Sequence, residues 1–287
     1  MNDLLQQLDW RTLVLPAMVP VFVAVLIAEA WRFRGQGRLT LKDSMASMGL
    51  GSLYMVFDTL VTVTLVALIF SWAYQHRLFD ITMTPLTGVL LFLSLEFCYY
   101  WFHRASHRIR WFWSAHVAHH SSTLMNFSTA MRQSAIYSIV GNWLFYVPLS
   151  LLGFNPVWIG VCYALSLVYQ FFIHTTLVGK LHPAIEYLFN TPNHHRVHHA
   201  RNPGYIDTNY GGVFIVFDRL FGTFTSERAE QPIEYGITRP VYSNSLLVNW
   251  LHEYRDIARD MRQPGPLSQR LQHLWRPPEW ERPEHKQ

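Results

Sequence analysis

Five long apolar runs, all within the first 173 residues, constrain this chain more than any other feature of its sequence. Each run is about the 17 to 25 residues that a helix needs to cross the hydrocarbon core of a bilayer. Only 15% of the chain is charged, well below the roughly 25% of soluble domains, so helices buried in a large soluble core explain the runs poorly. The runs predict membrane spans at residues 13–31, 50–74, 85–102, 136–154 and 156–173.

The basic residues indicate how these spans are oriented. The first run ends in "EAWRFRGQGR", a large basic flank that does not resemble a signal-peptide cleavage site, so we expect this run to stay as an anchor. The positive-inside rule places this flank in the cytoplasm, and alternation of the spans then places everything from His174 onward there too. The compact chain has no evident targeting or retention signal, which favours a bacterial inner membrane.

The fold expected from these spans is an all-α integral membrane protein, with four or five transmembrane helices and a cytoplasmic helical cap. Residues 1–287 are expected to form one domain, in which the proline-rich tail 263–287 covers the cytoplasmic side. The part of the chain after residue 173 holds 13 of the 23 lysines and arginines, which favours contact with anionic lipid headgroups. No basic stripe interleaved with aromatic residues indicates a nucleic-acid partner.

Histidines are concentrated in the region that should form this cap. Eleven of the fifteen lie between residues 103 and 199, on one side of the membrane in the expected orientation. Side chains three or four positions apart share a helix face, so "HRASH", "HVAHH" and "HRVHH" each predict a cluster of imidazoles, which are the commonest metal ligands. The isolated histidines are expected to be packed or surface residues: His76, His252, His273 and His285.

The number of clustered histidines indicates two metal ions. A structural zinc takes four ligands and a catalytic zinc takes three and a water, so about ten histidines exceed what one ion needs. The two cysteines, Cys98 and Cys162, lie inside apolar runs and match no metal or disulfide spacing. Nitrogen ligands suit iron, zinc and copper, and a site made almost wholly of neutral imidazoles favours iron and dioxygen acting on an apolar substrate.

The motifs around the histidines resemble a known family. "FHRASH", "HVAHHSS", "IHT" and "NTPNHHRVHHARNPGYIDTNYGG", followed by "FDRLFGTF", are similar to the fatty acid hydroxylase / sterol desaturase superfamily of membrane di-iron oxygenases. By motif position the resemblance implies nine metal ligands with His194 as a tenth, whereas His182 matches no histidine box. The implied ligands are His103, His107, His116, His119, His120, His174, His194, His195, His198 and His199.

The resemblance also implies a chemistry. Two iron ions and O2 would hydroxylate a membrane lipid of acyl, alkyl-ether or sterol-like type, and electrons would come from an external reductase or reduced cofactor, such as a pterin. Zinc would be able to replace iron on purification. Three alternatives stay open: a lipid desaturase on the same site, a dizinc membrane hydrolase, which would normally use carboxylates, and a metal transporter, whose ligands should lie within the spans.

Several polar residues are candidates for supporting the histidines, because a metal-bound imidazole usually donates its second ring nitrogen to a carboxylate or carbonyl. Glu96 lies two helical turns before His103 in an apolar run, where a charge is usually functional; the alternative is a carboxylate that joins helices through a Ser or Tyr. Asp207 and Asn209 follow the last box in a glycine-rich turn. Three further residues are candidates for facing a lipid headgroup or lining the site: Asn126, Arg132 and Gln133.

Overall fold

The computed structural model describes residues 14–282, and within them the fold is helical. No β-strand occurs in this range, where the only extended pairings are two isolated bridges. The all-α class expected from the sequence is confirmed. The first residue of the first predicted span, Leu13, and residues 283–287 of the predicted tail, with His285, lie outside the described residues.

The helices, in chain order, are α1 (Val14–Arg32), α2 (Leu41–Gln75), α3 (Pro85–Arg108), α4 (Arg110–His120), α5 (Val147–Leu152), α6 (Pro156–Ile173), α7 (Pro183–Leu188), α8 (Pro192–His198), α9 (Val216–Phe221), α10 (Leu246–Arg262) and α11 (Leu267–Trp275). Four of them, α1, α2, α3 and α6, are long and apolar enough to cross a membrane. Many of their large apolar side chains are exposed, among them Val19, Val56 and Val89. Such continuous apolar surface marks contact with lipid, as in a multi-pass membrane protein.

Local signals explain where two of these helices begin. Helix α2 starts at Leu41 rather than at the predicted residue 50, because the Thr40 side chain caps it by accepting a hydrogen bond from Asp43 N at 3.3 Å. Helix α3 starts with Pro85 in its first turn, where a missing N–H costs nothing, behind a capping box formed by Thr84 and Thr87. Within residues 14–282, four of the five predicted spans therefore correspond to helices that are long and apolar enough to cross a membrane.

The predicted span 136–154 is not one long helix. It consists of turns, a 3-10 segment Asn142–Tyr146 and the short helix α5, because Gly141 has a left-handed backbone with φ 93° and a proline lies in the first turn of α5. At one end Tyr137 approaches the histidines, and at the other Leu78 N donates to Leu151 O at 2.7 Å. The segment therefore runs through the helix bundle in broken form, which a membrane tolerates where protein surrounds the backbone.

The C-terminal helices pack on the helix that follows the third span. Arg110, at the start of α4, is buried and forms ion pairs with Glu253 at 2.7 Å and Asp260 at 2.8 Å, both on α10. Its backbone N–H also donates to Arg276 O at 3.1 Å, just after α11. Because α4 carries three of the clustered histidines, this ion cluster ties the C-terminal part of the chain to the site.

Gly153, at the turn between α5 and α6, provides a test of how the segment 136–154 packs against the rest of the protein. Its φ is 122°, and a Cβ added there would lie 2.0 Å from Phe79 O, so Gly153→Ala is expected to lower the free energy of unfolding by ~1–3 kcal/mol. The measurement is thermal unfolding in detergent. Gly160→Ala, within α6 with open space around it, is the matched control and should be neutral or slightly stabilising; an equally stable Gly153→Ala variant would contradict this packing.

Candidate metal centre

Nine buried histidines form two compact groups at one end of the spans. Within each group the potential ligand atoms all lie within 4.8 Å of one another. The five-histidine group consists of His103, His107, His116, His120 and His198. The four-histidine group consists of His119, His174, His195 and His199.

The spacing of the histidine boxes distributes the ligands between these groups. His103 and His107 are one turn apart at the end of α3 and join the same group. In "HVAHH" the pair four positions apart enters the five-histidine group, whereas His119 enters the other. In "HRVHH" the assignment is reversed, because His195 and His199 enter the four-histidine group. Helix α4 and the "HRVHH" segment that runs through α8 therefore each supply ligands to both groups.

Backbone carbonyls hold several of the rings in place. The Nδ1 atoms of His103, His174 and His198 lie 2.7 Å, 2.6 Å and 2.8 Å from the carbonyl oxygens of Tyr210, Gln170 and Thr208. A carbonyl can only accept a hydrogen bond, so each Nδ1 must carry the proton, and in the neutral ring the lone pair is on Nε2. These contacts fix both the tautomer and the direction of each ring.

The Nε2 atoms face one another at the separation that a shared metal ion would impose. His103 Nε2 lies 3.0 Å from His116 Nε2, and His174 Nε2 lies 2.8 Å from His195 Nε2. Two nitrogens bound to one ion at about 2.0–2.1 Å are roughly 3 Å apart. The Nε2 atoms of His107 and His198 are buried without a hydrogen-bond partner in the described chain. The residues present therefore fit two metal ions.

Burial keeps seven of these imidazoles in the neutral form that binds metals. Desolvation, reinforced by neighbouring imidazoles, holds the pKa of six histidines well below the ordinary value, and burial lowers the pKa of His174 to about 4. A neutral imidazole offers a lone pair at neutral pH, which a protonated ring lacks. The six histidines are His116, His119, His120, His195, His198 and His199.

Asp207 lies beside the five-histidine group. Its Oδ1 is 3.6 Å from His107 Nδ1, and its other oxygen pairs with Arg108. Burial alone would raise the pKa of Asp207, but His107 and Arg108 hold it below its ordinary value. The backbone of Asp207 is left-handed, with φ 61°, which aspartate tolerates better than most residues. This turn brings the carboxylate to the histidine ring.

The other two predicted supporting residues contact the loop around the site rather than the rings. Asn209, also left-handed with φ 58°, donates from Nδ2 to His194 O at 3.1 Å and to Thr225 O at 2.8 Å. Glu96 accepts from Ser166 Oγ at 2.5 Å and from Val213 N at 2.6 Å. In the described part of the chain neither Glu96 oxygen has a hydrogen bond to a histidine. Glu96 thus joins α3 to α6, as the alternative from the sequence describes, and also holds the loop.

His194, expected as a tenth ligand, joins neither group. Its Nε2 lies 3.0 Å from Glu186 Oε2, and its Nδ1 lies 3.3 Å from Phe189 O. The ring therefore faces α7 instead of the ligands on α4. Glu186 also accepts from Thr191 Oγ1 at 3.0 Å, so it organises the start of α8. Nothing in the sequence spacing distinguished His194 from its neighbours, because it lies four positions before His198.

Arg132, a candidate for binding a headgroup or lining the site, is instead buried in a network of protein groups. Its guanidinium donates to Asp43 at 3.0 Å, Ser121 at 2.8 Å and Asn249 at 3.0 Å. Its carbonyl oxygen lies 3.2 Å from His119 Nδ1. Gln133 does reach the site, with Nε2 3.3 Å from His119 Nδ1. Asn126 caps the 3-10 turn Phe127–Met131.

Two buried carboxylates outside the predicted set also hold the site. Glu29 of α1 accepts from Phe127 N at 2.6 Å and from Thr175 Oγ1 at 2.5 Å, next to His174. Asp218 of α9 accepts from the backbone N–H groups of Tyr210 and Gly211, each at 2.7 Å. Burial raises the pKa of Asp218 to about 6. In the sequence, Asp218 is part of the "FDRLFGTF" motif that carries the family resemblance, but the motif by itself did not indicate what Asp218 does.

A cavity of about 310 Å³ reaches only one of the two groups. His107, His120 and His198 line it, and its lining includes no member of the four-histidine group. Its walls include the apolar side chains of Trp113 and Val117 on α4. This cavity therefore offers a route to the five-histidine group.

The fold and the site define a class: a helical membrane protein that gathers nine imidazoles, at one end of its spans, into two groups that could each hold a metal ion. Residues 88–223 match the family model for fatty acid hydroxylase, so the chain contains a fatty acid hydroxylase domain. The resemblance found in the histidine boxes is confirmed.

Curated proteins similar to this chain are also lipid-related monooxygenases and hydroxylases by name. The alkylglycerol monooxygenase of Homo sapiens is 39% identical over 227 residues, which are 77% of this chain and 50% of that protein. The alkylglycerol monooxygenase of Danio rerio is 36% identical over 266 residues, 91% of this chain and 58% of that protein. The ornithine lipid hydroxylase OlsE of Rhizobium tropici is 31% identical over 161 residues, 55% of this chain and 47% of that protein. The chain spans about half the length of these relatives. No solved structure matches.

Removing the Asp218 carboxylate tests whether it holds the loop at the site. Asp218→Ala leaves two buried backbone N–H groups without an acceptor, at a cost of ~1–3 kcal/mol for each, and should release the Tyr210 carbonyl from His103. We expect a lower unfolding midpoint and less bound metal, measured by thermal scans and elemental analysis. Asp80→Ala, at a highly exposed aspartate that pairs with Arg77, is the control; equal behaviour of the two variants would contradict the role of Asp218.

Proposed function

We propose that the protein is a membrane-bound, O2-dependent di-iron oxygenase that hydroxylates a lipid. The observation that carries the proposal is the pair of buried histidine groups, whose Nε2 atoms converge at ligand distances at the end of the spans. The fatty acid hydroxylase domain and the lipid-hydroxylating relatives support the same reaction class.

In this proposal each histidine group holds one iron ion, and His194 is left out of the ligand set. Iron supplies the redox chemistry with O2, using electrons from an external reductase or reduced cofactor; a pterin is one candidate, and zinc would be able to replace iron on the same nitrogens during purification. Asp207 orients His107 and increases its strength as a ligand. Glu96 and Asn209 fix the loop whose Tyr210 carbonyl holds the His103 ring. These contacts would keep the ligand rings in place around a bound metal.

The substrate in this proposal is a membrane lipid. The relatives named for alkylglycerol and for ornithine lipid support a lipid with a polar end and a long chain, and we propose an alkyl-ether lipid first, with acyl and sterol-like lipids as further candidates. The exposed apolar faces of the spans keep the site within reach of the bilayer. We further propose that the site faces the cytoplasm of a bacterial inner membrane, since the basic segment after α1 favours that orientation.

Three other functions are less well supported. A lipid desaturase would use the same ligands, and only its product separates it from a hydroxylase. A dizinc hydrolase would normally include a carboxylate among its ligands and as a general base, whereas both groups in residues 14–282 consist of histidine alone. A metal transporter would bind near the midplane of the bilayer, whereas His103, His107 and His174 lie at the ends of spans.

Metal content tests the proposed ligand set. Protein from iron-supplemented cells is expected to hold about two iron ions per chain. His195→Ala should lose at least one of them, because it removes a ligand from the four-histidine group. His194→Ala is the matched control and should keep both. Elemental analysis gives the result. Equal loss in the two variants would contradict the ligand set, and two zinc ions that persist under iron supplementation would favour the hydrolase.

Isotope labelling tests the reaction. Cells that make the protein under ¹⁸O2 should accumulate lipid with one ¹⁸O atom inserted, or its breakdown product, and cells with His195→Ala should not. Mass spectrometry of extracted lipids distinguishes the alternatives. A product that has lost two hydrogens and carries no ¹⁸O would establish a desaturase instead, and an unchanged lipid profile would count against both.

A further inference from the structure

His252, a histidine outside every box, lines the same cavity as the five-histidine group. It lies on α10, and the α4 side chains Trp113 and Val117 belong to the same lining. Its Nε2 is buried and has no hydrogen-bond partner within the described chain. A buried polar atom without a partner is costly, by about 1–3 kcal/mol. It therefore marks a place where a ligand group would bind favourably.

The other ring nitrogen defines what that ligand group must be. His252 Nδ1 lies 3.2 Å from Val248 O and 3.2 Å from Asn249 O, both carbonyls of its own helix. Since carbonyls only accept, Nδ1 carries the proton, and in the neutral ring Nε2 is left as an acceptor. The matching ligand group is a hydrogen-bond donor such as a hydroxyl.

The acidic side chains of the cavity lining are already paired. Asp207 and Glu279 pair with Arg108, Glu253 with Arg110, and Asp256 with Arg259. The buried Nε2 atoms of His107 and His198 are accounted for by the proposed metal. His252 Nε2 is thus a buried acceptor with no assigned partner, in a cavity that is also lined by three of the histidines proposed to bind metal.

The size of the cavity limits the ligand to one part of a lipid. A volume of about 310 Å³ is at the small end of the range for ligand pockets, roughly 300–1,000 Å³. It suits a small polar group with a few carbons, while a long chain would have to continue outside it, along the apolar surface.

We propose that this cavity binds the hydroxyl-bearing polar end of the lipid, with His252 Nε2 accepting a hydrogen bond from the hydroxyl. The inference rests on the proposed function, since it assigns the substrate's polar end to the cavity that reaches the five-histidine group. His252 is then a specificity residue: it selects lipids with a free hydroxyl over lipids in which that hydroxyl is blocked.

Binding without turnover tests the assignment. The purified full-length protein, kept anaerobic and without reductant, is titrated with radiolabelled 1-O-hexadecylglycerol and with 1-O-hexadecyl-2,3-di-O-methylglycerol, which cannot donate. One hydrogen bond predicts tighter binding of the diol by about twofold to tenfold. His252→Leu should reduce this ratio to about one through loss of diol affinity alone, and His252→Gln, which keeps an acceptor, should retain much of it.

The control is His76→Leu, because His76 also directs Nδ1 to the carbonyl of its own helix, Trp72 O at 2.8 Å, but lies on the exposed loop beyond α2. It should leave the ratio unchanged. An unchanged ratio in His252→Leu, or an equal loss of both lipids, would overturn the role of His252. If either result accompanies normal ¹⁸O incorporation, the oxygenase proposal stands and only this assignment fails. If His252→Leu loses the ratio as expected but the protein holds no iron, the assignment stands and the oxygenase proposal fails.

Discussion

Nine buried imidazoles that converge in two groups are the constraint on which the rest of this structure depends. Lone pairs about 3 Å apart repel unless a cation lies between them, and burial disfavours the protonated form of an imidazole. The rings must therefore be held in place by contacts outside each group. Backbone carbonyls hold four of the nine through Nδ1, for example Tyr210 O for His103 and Gln170 O for His174.

Those carbonyls are only as rigid as the segments that carry them, and buried charges fix the segments. Asp218 binds the two N–H groups that begin the Tyr210–Gly211 turn, and Glu96 binds Val213 N just beyond it. Arg132 is held by Asp43 and Asn249 from two different helices. A buried charge with every partner in place is hard to move, because displacing it would leave an unpaired charge in a low-dielectric interior. Buried charged side chains, although their desolvation is unfavourable, thus hold the segments around the ligands in place.

The cavity reaches the five-histidine group through His107, His120 and His198, and its lining includes no member of the four-histidine group. His252 and Asp256 of α10 also line it. Helix α10 is tied to α4 by the buried Arg110–Glu253 pair, so this pair joins one element of the cavity to an element that carries ligands. In the proposed oxygenase the cavity would bring the substrate to the five-histidine group.

The sequence by itself determined the membrane character, four of the spans and nine of the clustered histidines, because run length and three-to-four spacing are local properties of one helix. It did not determine the path of residues 136–154, where a left-handed Gly141 and a proline break an apolar run. Nor did it separate His194 from His198, which share a spacing but meet Glu186 and the five-histidine group respectively. Spacing fixes which side chains share a face, whereas the neighbour that the face meets is decided only when distant segments pack together. The tertiary structure alone therefore divided the ligands into two groups, assigned Asp218 and Glu29 their roles, and opened the cavity beside His252.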